Sequence, residues 1–293
     1  MNKEMPQYLS EDVRPMAAIP SLPELCYAEI PATSQPRYTG DRFCYMEAGP
    51  PERRPVLLLH GIGANSLHWR FQLAALADRY RLIAWNAPGY LLSDNLRAET
   101  PSGRDYADAL ADFLTALGIG EFDVVANSFG TRVAQCFALY HPGRIARSVF
   151  TGTSIAQSTT PEERAQSLEA RARMVERGGY GFGERVAALL GSAAAPATVS
   201  LVQQTLRATN PAGYMQAARF IANGDMPPPG AGLTMPLLLV QGEEDRVTPA
   251  AVNAKLLAAA VSGARLVMLA GCGHLPEVEM PRQVNELIAG FLG

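Results

Sequence analysis

The stretch Val124-Val125-Ala126-Asn127-Ser128-Phe129-Gly130 constrains this chain more than any other. An apolar run stops at a serine with small residues two positions to either side, and a helix-compatible run from Thr131 to Tyr140 follows at once. A parallel strand that turns directly into a helix needs such a corner, because larger side chains at 126 and 130 would collide across so tight a bend. The serine is then held outward, with the positive end of the helix behind it. Taken alone, the same letters also fit an ordinary strand-to-helix turn with a solvent-facing serine. Ala126 stands where such corners usually carry a first glycine.

The flanking pattern extends the reading. Short apolar runs at 43–47, 56–59, 81–85, 122–126 and 145–150 predict strands. Between them, helical spacing is predicted over 66–79, 106–117 and 131–140. This alternation predicts an α/β fold, a doubly wound and mostly parallel sheet with helices on both faces. From about Ser154 the strand signal disappears and Ala-, Arg- and Glu-rich helical patterns take over, closing with Pro227-Pro228-Pro229-Gly230. The sheet rhythm resumes with a strand at 236–240, a helix at 249–260, a strand at 265–269 and a helix at 281–292. The expected organisation is a proline-rich, irregular N-terminal extension over 1–36, a first part of the α/β core over 37–153, an inserted helical cap over 154–232, and the second part of the core over 233–293.

With 293 residues, 48% of them hydrophobic, the chain has the material for one large core. A net charge of −3 with no basic stripe argues against a nucleic-acid partner. No apolar run reaches the roughly 20 residues of a membrane span. The first residues, with Lys3, Glu4, Glu11, Asp12 and Arg14, do not read as a secretory signal, so a cytoplasmic protein is expected. Cys26, Cys44, Cys136 and Cys272 are scattered without a CxxC pair, which argues against a disulfide framework or a zinc site. No metal and no cofactor is expected. The expected partner is a small-molecule carbonyl substrate, and a homodimer is a candidate assembly.

A serine hydroxyl is a weak nucleophile at neutral pH and needs a base within hydrogen-bond reach, oriented in turn by an acid. Of the four histidines, His274 falls in Gly271-Cys272-Gly273-His274 just after an apolar strand, at the sheet edge where open α/β folds carry ligands. His141 precedes Pro142 and is expected to cap helix carbonyls. His68 falls early in a helix, and His60 precedes a glycine turn and is expected to be structural. The acid is sought after the strand Leu237–Val240, where Asp245 is favoured over its rivals Glu243 and Glu244, with Thr248 available to cap the next helix. An oxyanion needs backbone donors. The amide of Phe129 and the amide of Ile62, within His60-Gly61-Ile62-Gly63, are the candidates.

HGIG, ANSFG, GEEDRVTP and GCGH, in that order, resemble the α/β-hydrolase superfamily, whose nucleophile, acid and histidine follow the same sequence. The resemblance covers about residues 40–293. The loop from Trp85-Asn86-Ala87-Pro88-Gly89-Tyr90 to Ser93-Asp94 is similar to the family's D-x-x-G-x-G-x-S, with Asn86 in place of Asp. A serine nucleophile implies acyl transfer to water and argues against the haloalkane dehalogenase and epoxide hydrolase branches. The resemblance implies a carboxylic ester or lactone hydrolase. The alternative is a carbon–carbon hydrolase of ring-cleavage products, to whose N-S-F-G and C-G-H elements residues 127–130 and 272–274 are similar. Leu275 stands where many of those enzymes carry Trp, and the early loop lacks their G-x-G-P-G. A ligand receptor on the same fold is the non-enzyme alternative. Gly61, Asn127, Leu275, Met174, Phe182 and Tyr214 are candidate pocket residues. The 154–232 segment carries seven arginines, one of which could bind a substrate carboxylate bidentately; the favoured reading places them on solvated helix faces, paired with interspersed glutamates.

Overall fold

The computed structural model describes residues 19–155, 160–192 and 194–293, without the side chain of Tyr180. The first half of the expected N-terminal extension, residues 1–18, lies outside the described residues.

Eight strands form one sheet in the order β1-β2-β4-β3-β5-β6-β7-β8. They are β1 (Leu25–Glu29), β2 (Arg42–Ala48), β3 (Pro55–Leu59), β4 (Arg81–Trp85), β5 (Phe122–Asn127), β6 (Ile145–Thr151), β7 (Leu237–Gly242) and β8 (Arg265–Leu269). The first three in spatial order pair antiparallel, and every pairing from β4 to β8 is parallel. The central strands β5 and β7 are buried at every position, which is why their sequences read as apolar runs without alternation. Successive β3 residues feed opposite cores: Leu57 and Leu59 pack on one face, Val56 and Leu58 on the other.

The helices between β3 and β6 are α1 (Arg70–Leu76), α2 (Gly103–Ala116) and α3 (Phe129–Tyr140). Between β6 and β7 come α4 (Pro161–Glu176), α5 (Gly178–Gly183), α6 (Val186–Leu189), α7 (Pro196–Arg207) and α8 (Pro211–Asn223), with no strand among the described residues of this segment. The chain closes with α9 (Ala254–Ala260), α10 (Pro276–Glu279) and α11 (Pro281–Leu292). The helices inserted between β6 and β7 have an apolar cluster of their own. Phe182, Val202, Leu206 and Tyr214 pack there against Leu275 and Val278 from the body.

Three local differences from the sequence reading have physical causes. The irregular chain expected up to residue 36 contains β1, an edge strand of five residues whose half-exposed pattern lacks a strong apolar signal. The helix expected from Tyr106 starts at Gly103, because Ser102 and Asp105 form a reciprocal capping box. The helix expected over 249–260 breaks at Asn253. That residue's Oδ1 accepts the amide of Ile155 while its Nδ2 donates to the carbonyl of Pro249.

Candidate active site

Ser128 sits at the junction of β5 and α3 with φ 52°, one of two non-glycine residues with positive φ among those described. Such a backbone costs on the order of 1–3 kcal/mol and persists only where its surroundings over-determine it. Those surroundings are visible. The amide of Ser128 donates to the carbonyl of Thr151 at 3.2 Å, and its carbonyl accepts from the amide and hydroxyl of Thr131 at 2.9 and 2.6 Å. The corner is crowded, as the small flanking residues require. A Cβ on Gly130 would lie 2.2 Å from the carbonyl oxygen of Leu59, and one on Gly61 would lie 2.6 Å from Asn127 Oδ1 and 3.2 Å from Ser128 Cβ. Phe129 takes the first position of α3, where an amide has no intrahelical acceptor. Gly61, Ile62, Asn127, Ser128, His274 and Leu275 all line one cavity of about 390 Å³ at the C-terminal ends of the strands.

His274 follows β8 and is held from both sides. Its amide donates to the carbonyl of Leu189 at 2.7 Å, and its carbonyl accepts from Asn127 Nδ2 at 3.1 Å. One side chain thus ties the serine corner to the histidine loop. Nδ1 of His274 lies 2.8 Å from Asp245 Oδ2, both side chains being buried. Asp245 accepts four further hydrogen bonds: the amides of Val247 and Thr248 (each 2.8 Å), the Thr248 hydroxyl (2.8 Å) and Gln241 Nε2 (2.6 Å). Burial alone would raise this carboxyl. The bonds from His274 and Thr248 outweigh it and hold Asp245 at about 2. It is therefore a carboxylate at neutral pH, and Nδ1 of His274 donates to it, which leaves Nε2 as a proton acceptor.

The structure separates Asp245 from its rivals. Glu243 is exposed, and Glu244 accepts from the amide and hydroxyl of Ser192 at 2.7 and 2.8 Å. Thr248, expected as a helix cap, instead turns its hydroxyl to the Asp245 carboxylate, 3.1 Å from His274 Nδ1. His60 is fully buried. Its Nε2 accepts the amide of Ala87 at 3.1 Å while Nδ1 donates to the carbonyl of Gly61 at 2.9 Å. Burial pushes His60 down to about 4, so it bridges two loops as a neutral ring. His141 does not cap carbonyls with its ring: Nε2 pairs with Asp108 Oδ1 at 2.9 Å, because α2 brings that carboxylate alongside. His68 lines the cavity and pairs directly with the buried Glu277.

Sequence reasoning missed Glu279. Its carboxylate accepts the amides of Gly273, Leu275 and Gly191 at 2.7–3.1 Å and so clamps the loop that carries His274. No motif marks it, since the short α10 that places it follows the histidine and has no strand or turn signature. Met174, Phe182 and Tyr214 do not line the cavity. Phe182 and Tyr214 stack edge-to-face at 4.8 Å in the core of the inserted helices, and Met174 packs against that core. Two arginines of the segment form the expected surface pairs, Arg173 with Glu169 and Arg177 with Glu184. Arg171 and Arg185 do not. Each donates Nη1 to the hydroxyl of Tyr214 at 3.2 Å, because α8 carries that tyrosine inward between them. All four cysteines are free, three of them buried. Among the described residues no three His, Cys, Asp or Glu side chains gather to hold a metal ion, and no helix is long and apolar enough to cross a membrane.

The sequence profile of the Alpha/beta hydrolase family matches residues 56–287. An uncharacterized protein of Mycobacterium tuberculosis is 26% identical over 260 residues, covering 81% of this chain and 74% of the relative. The 3-oxoadipate enol-lactonase 1 of Acinetobacter baylyi is 24% identical over 255 residues, covering 83% and 90%. Among solved structures, a thermophilic esterase from Thermogutta terrifontis superposes with a TM-score of 0.78 at 23% identity, covering 92% of this chain and 98% of that one. At that identity the likeness is one of fold.

Proposed function

The chain belongs to the alpha/beta hydrolase family, and from that premise we propose that it is a cofactor-independent serine hydrolase of carboxylic esters or lactones. The observation that carries the reading is the buried Asp245–His274 pair, 2.8 Å apart, opening onto the same cavity as the strained Ser128.

In this mechanism Nε2 of His274 takes the proton of Ser128 Oγ as the oxygen attacks the substrate carbonyl. Asp245 holds the imidazole in the tautomer that leaves Nε2 free and stabilises the imidazolium that forms. The amides of Ile62 and Phe129 receive the developing oxyanion. A donor of this kind is typically worth roughly 10²–10³ in rate. The carbon–oxygen bond then breaks, with His274 protonating the leaving alkoxide. A water deprotonated by His274 releases the acid from the acyl-enzyme. The inserted helices cap the site in this reading, since Arg185, Leu189, Val202 and Leu206 close the cavity over Ser128. The similarity to an enol-lactonase supports ester and lactone substrates over other acyl donors.

The test is turnover by purified protein of p-nitrophenyl esters of two to twelve carbons, a set of γ-lactones and a ring-cleavage dienone. Ester or lactone hydrolysis that disappears in Ser128→Ala is expected. A preference for the dienone would move the reaction to carbon–carbon cleavage, and no turnover of any class would favour a receptor.

A further inference from the structure

Two lobes meet at Ser128, and they differ in chemistry. One is apolar, walled by Leu189, Val202, Leu206 and Leu275. The other, about 480 Å³, is walled by Arg132, Arg171 and Arg185 together with Ser154, Thr248 and Asn253. Ile62, Ser128, Arg185 and Val247 line both.

The three guanidinium groups reach this lobe from different parts of the chain. Arg132 projects from α3, one turn beyond the serine. Arg171 comes from α4, and Arg185 from the residue preceding α6. Arg132 is 4% exposed, and its hydrogen bonds go to neutral oxygens: Ser154 Oγ at 2.8 Å and the carbonyls of Ile155 and Ile221 at 2.7 and 3.4 Å. Arg171 and Arg185 share one neutral phenol oxygen, that of Tyr214. Among the described residues no carboxylate lies within 4.0 Å of any of the three, although neighbouring arginines on the same helices do find glutamates.

With Arg132 buried and Arg171 and Arg185 half-buried, gathering three like charges around one lobe is unfavourable unless an anion answers them. Burial first, and then the nearby Arg171, lower Arg185 and bring Arg132 down to about 10. Each guanidinium carries five donors in a planar fork suited to a carboxylate, and the Tyr214 hydroxyl uses one from each of Arg171 and Arg185. The phenol holds the two forks in place without neutralising them.

We propose that the arginine lobe is a carboxylate-recognition subsite. The substrate would then be an ester or lactone that carries a carboxylate a few bonds from the reacting carbonyl, with its apolar part in the opposite lobe. The substrate class rests on Ser128 being the nucleophile, whereas the anion site does not.

Two measurements keep those apart. The first is calorimetric binding of glutarate and of its neutral diamide to the Ser128→Ala protein, alone and combined with Arg171→Gln or Arg185→Gln. Glutarate is expected to bind and the diamide not. Each glutamine substitution should weaken glutarate by on the order of tenfold or more, as for loss of a charge-assisted pair. Arg185→Lys should recover part of the affinity by keeping charge without the fork. The second is kcat/KM for monoethyl glutarate relative to ethyl 5-methylhexanoate, in which an isopropyl group replaces the carboxylate. Wild type should prefer the carboxylated ester, and the preference should collapse in both glutamine variants whichever way the absolute rates move. Equal binding of glutarate and the diamide, or an ester preference that the variants leave intact, overturns the proposal. Arginine-dependent glutarate binding, together with fluorophosphonate labelling undiminished in Ser128→Ala, would sustain the anion site while refuting Ser128 as nucleophile.

Discussion

Gly130→Ala tests the geometry of the serine corner without touching a reactive group. The added Cβ would stand 2.2 Å from the carbonyl oxygen of Leu59 and 2.7 Å from its carbon, whereas ordinary contact begins near 3.4 Å. About 1.2 Å must therefore be made up by moving the start of α3 away from β3. Both neighbours are backbone, so no side chain can rotate aside. Overpacking of this kind costs roughly 1–3 kcal/mol. The displaced segment includes Ser128 and the amide of Phe129, and a misplacement of about 1 Å at a reacting centre costs on the order of 10² in rate. Gly120 is the matched control: a Cβ there meets nothing within 4 Å, and its φ is not in the left-handed region. The assay is urea unfolding together with steady-state ester hydrolysis for both variants. Gly130→Ala should lose stability by the amount above and lose kcat by about two orders of magnitude, while Gly120→Ala matches wild type in both. A Gly130→Ala protein with wild-type stability and kcat would refute the claim that this corner positions the nucleophile.

Asp245→Asn should lower kcat by about 10⁴, because the amide stabilises the wrong imidazole tautomer. It should also change the acid limb of stability. Asp245 is held at about 2, below its ordinary value of 3.8, so its contribution of about 2 kcal/mol is fully present above pH 4 and is lost as pH falls through 2. The stability difference between wild type and Asp245→Asn, from urea unfolding at a series of pH values, should therefore shrink on acidification; a difference that grows contradicts it. Native thiol labelling should reach Cys26 alone, since Cys44, Cys136 and Cys272 are buried and burial raises all three thiols. Fast modification of Cys272 would contradict the packing around His274. Leu206→Ala should cost about 2–5 kcal/mol and shift ester preference toward longer acyl chains, because Leu206 both walls the apolar lobe and packs in the inserted helices. Unchanged chain-length preference would count against that lobe as the acyl site.

The parallel strands were legible because burial on both faces leaves continuous apolar runs, as in Leu237–Val240. The serine corner was legible because steric crowding restricts residues 126 and 130 to small side chains. His274 stood out among the histidines because it falls just beyond a strand, where loops cross the sheet edge, whereas Asp245 shares that position with Glu243 and Glu244 and is separated from them by its contact with His274. What escaped notice depends on tertiary contact alone. Glu279 is one acidic residue among several near the C-terminus until folding wraps three loop amides around it. β1 is short, half-exposed and held by pairing to β2. Arg171 and Arg185 share the composition of Arg173 and Arg177, and only the inward-facing Tyr214 distinguishes the pair turned toward the site from the pair turned to solvent.

The most direct test of the central claim is covalent capture of the nucleophile. Wild-type protein treated with a fluorophosphonate probe and digested for mass spectrometry should yield one adduct, on the peptide containing Ser128. The adduct should be absent in Ser128→Ala and strongly slowed in His274→Ala. An adduct on another residue, or labelling undiminished in Ser128→Ala, would contradict the account.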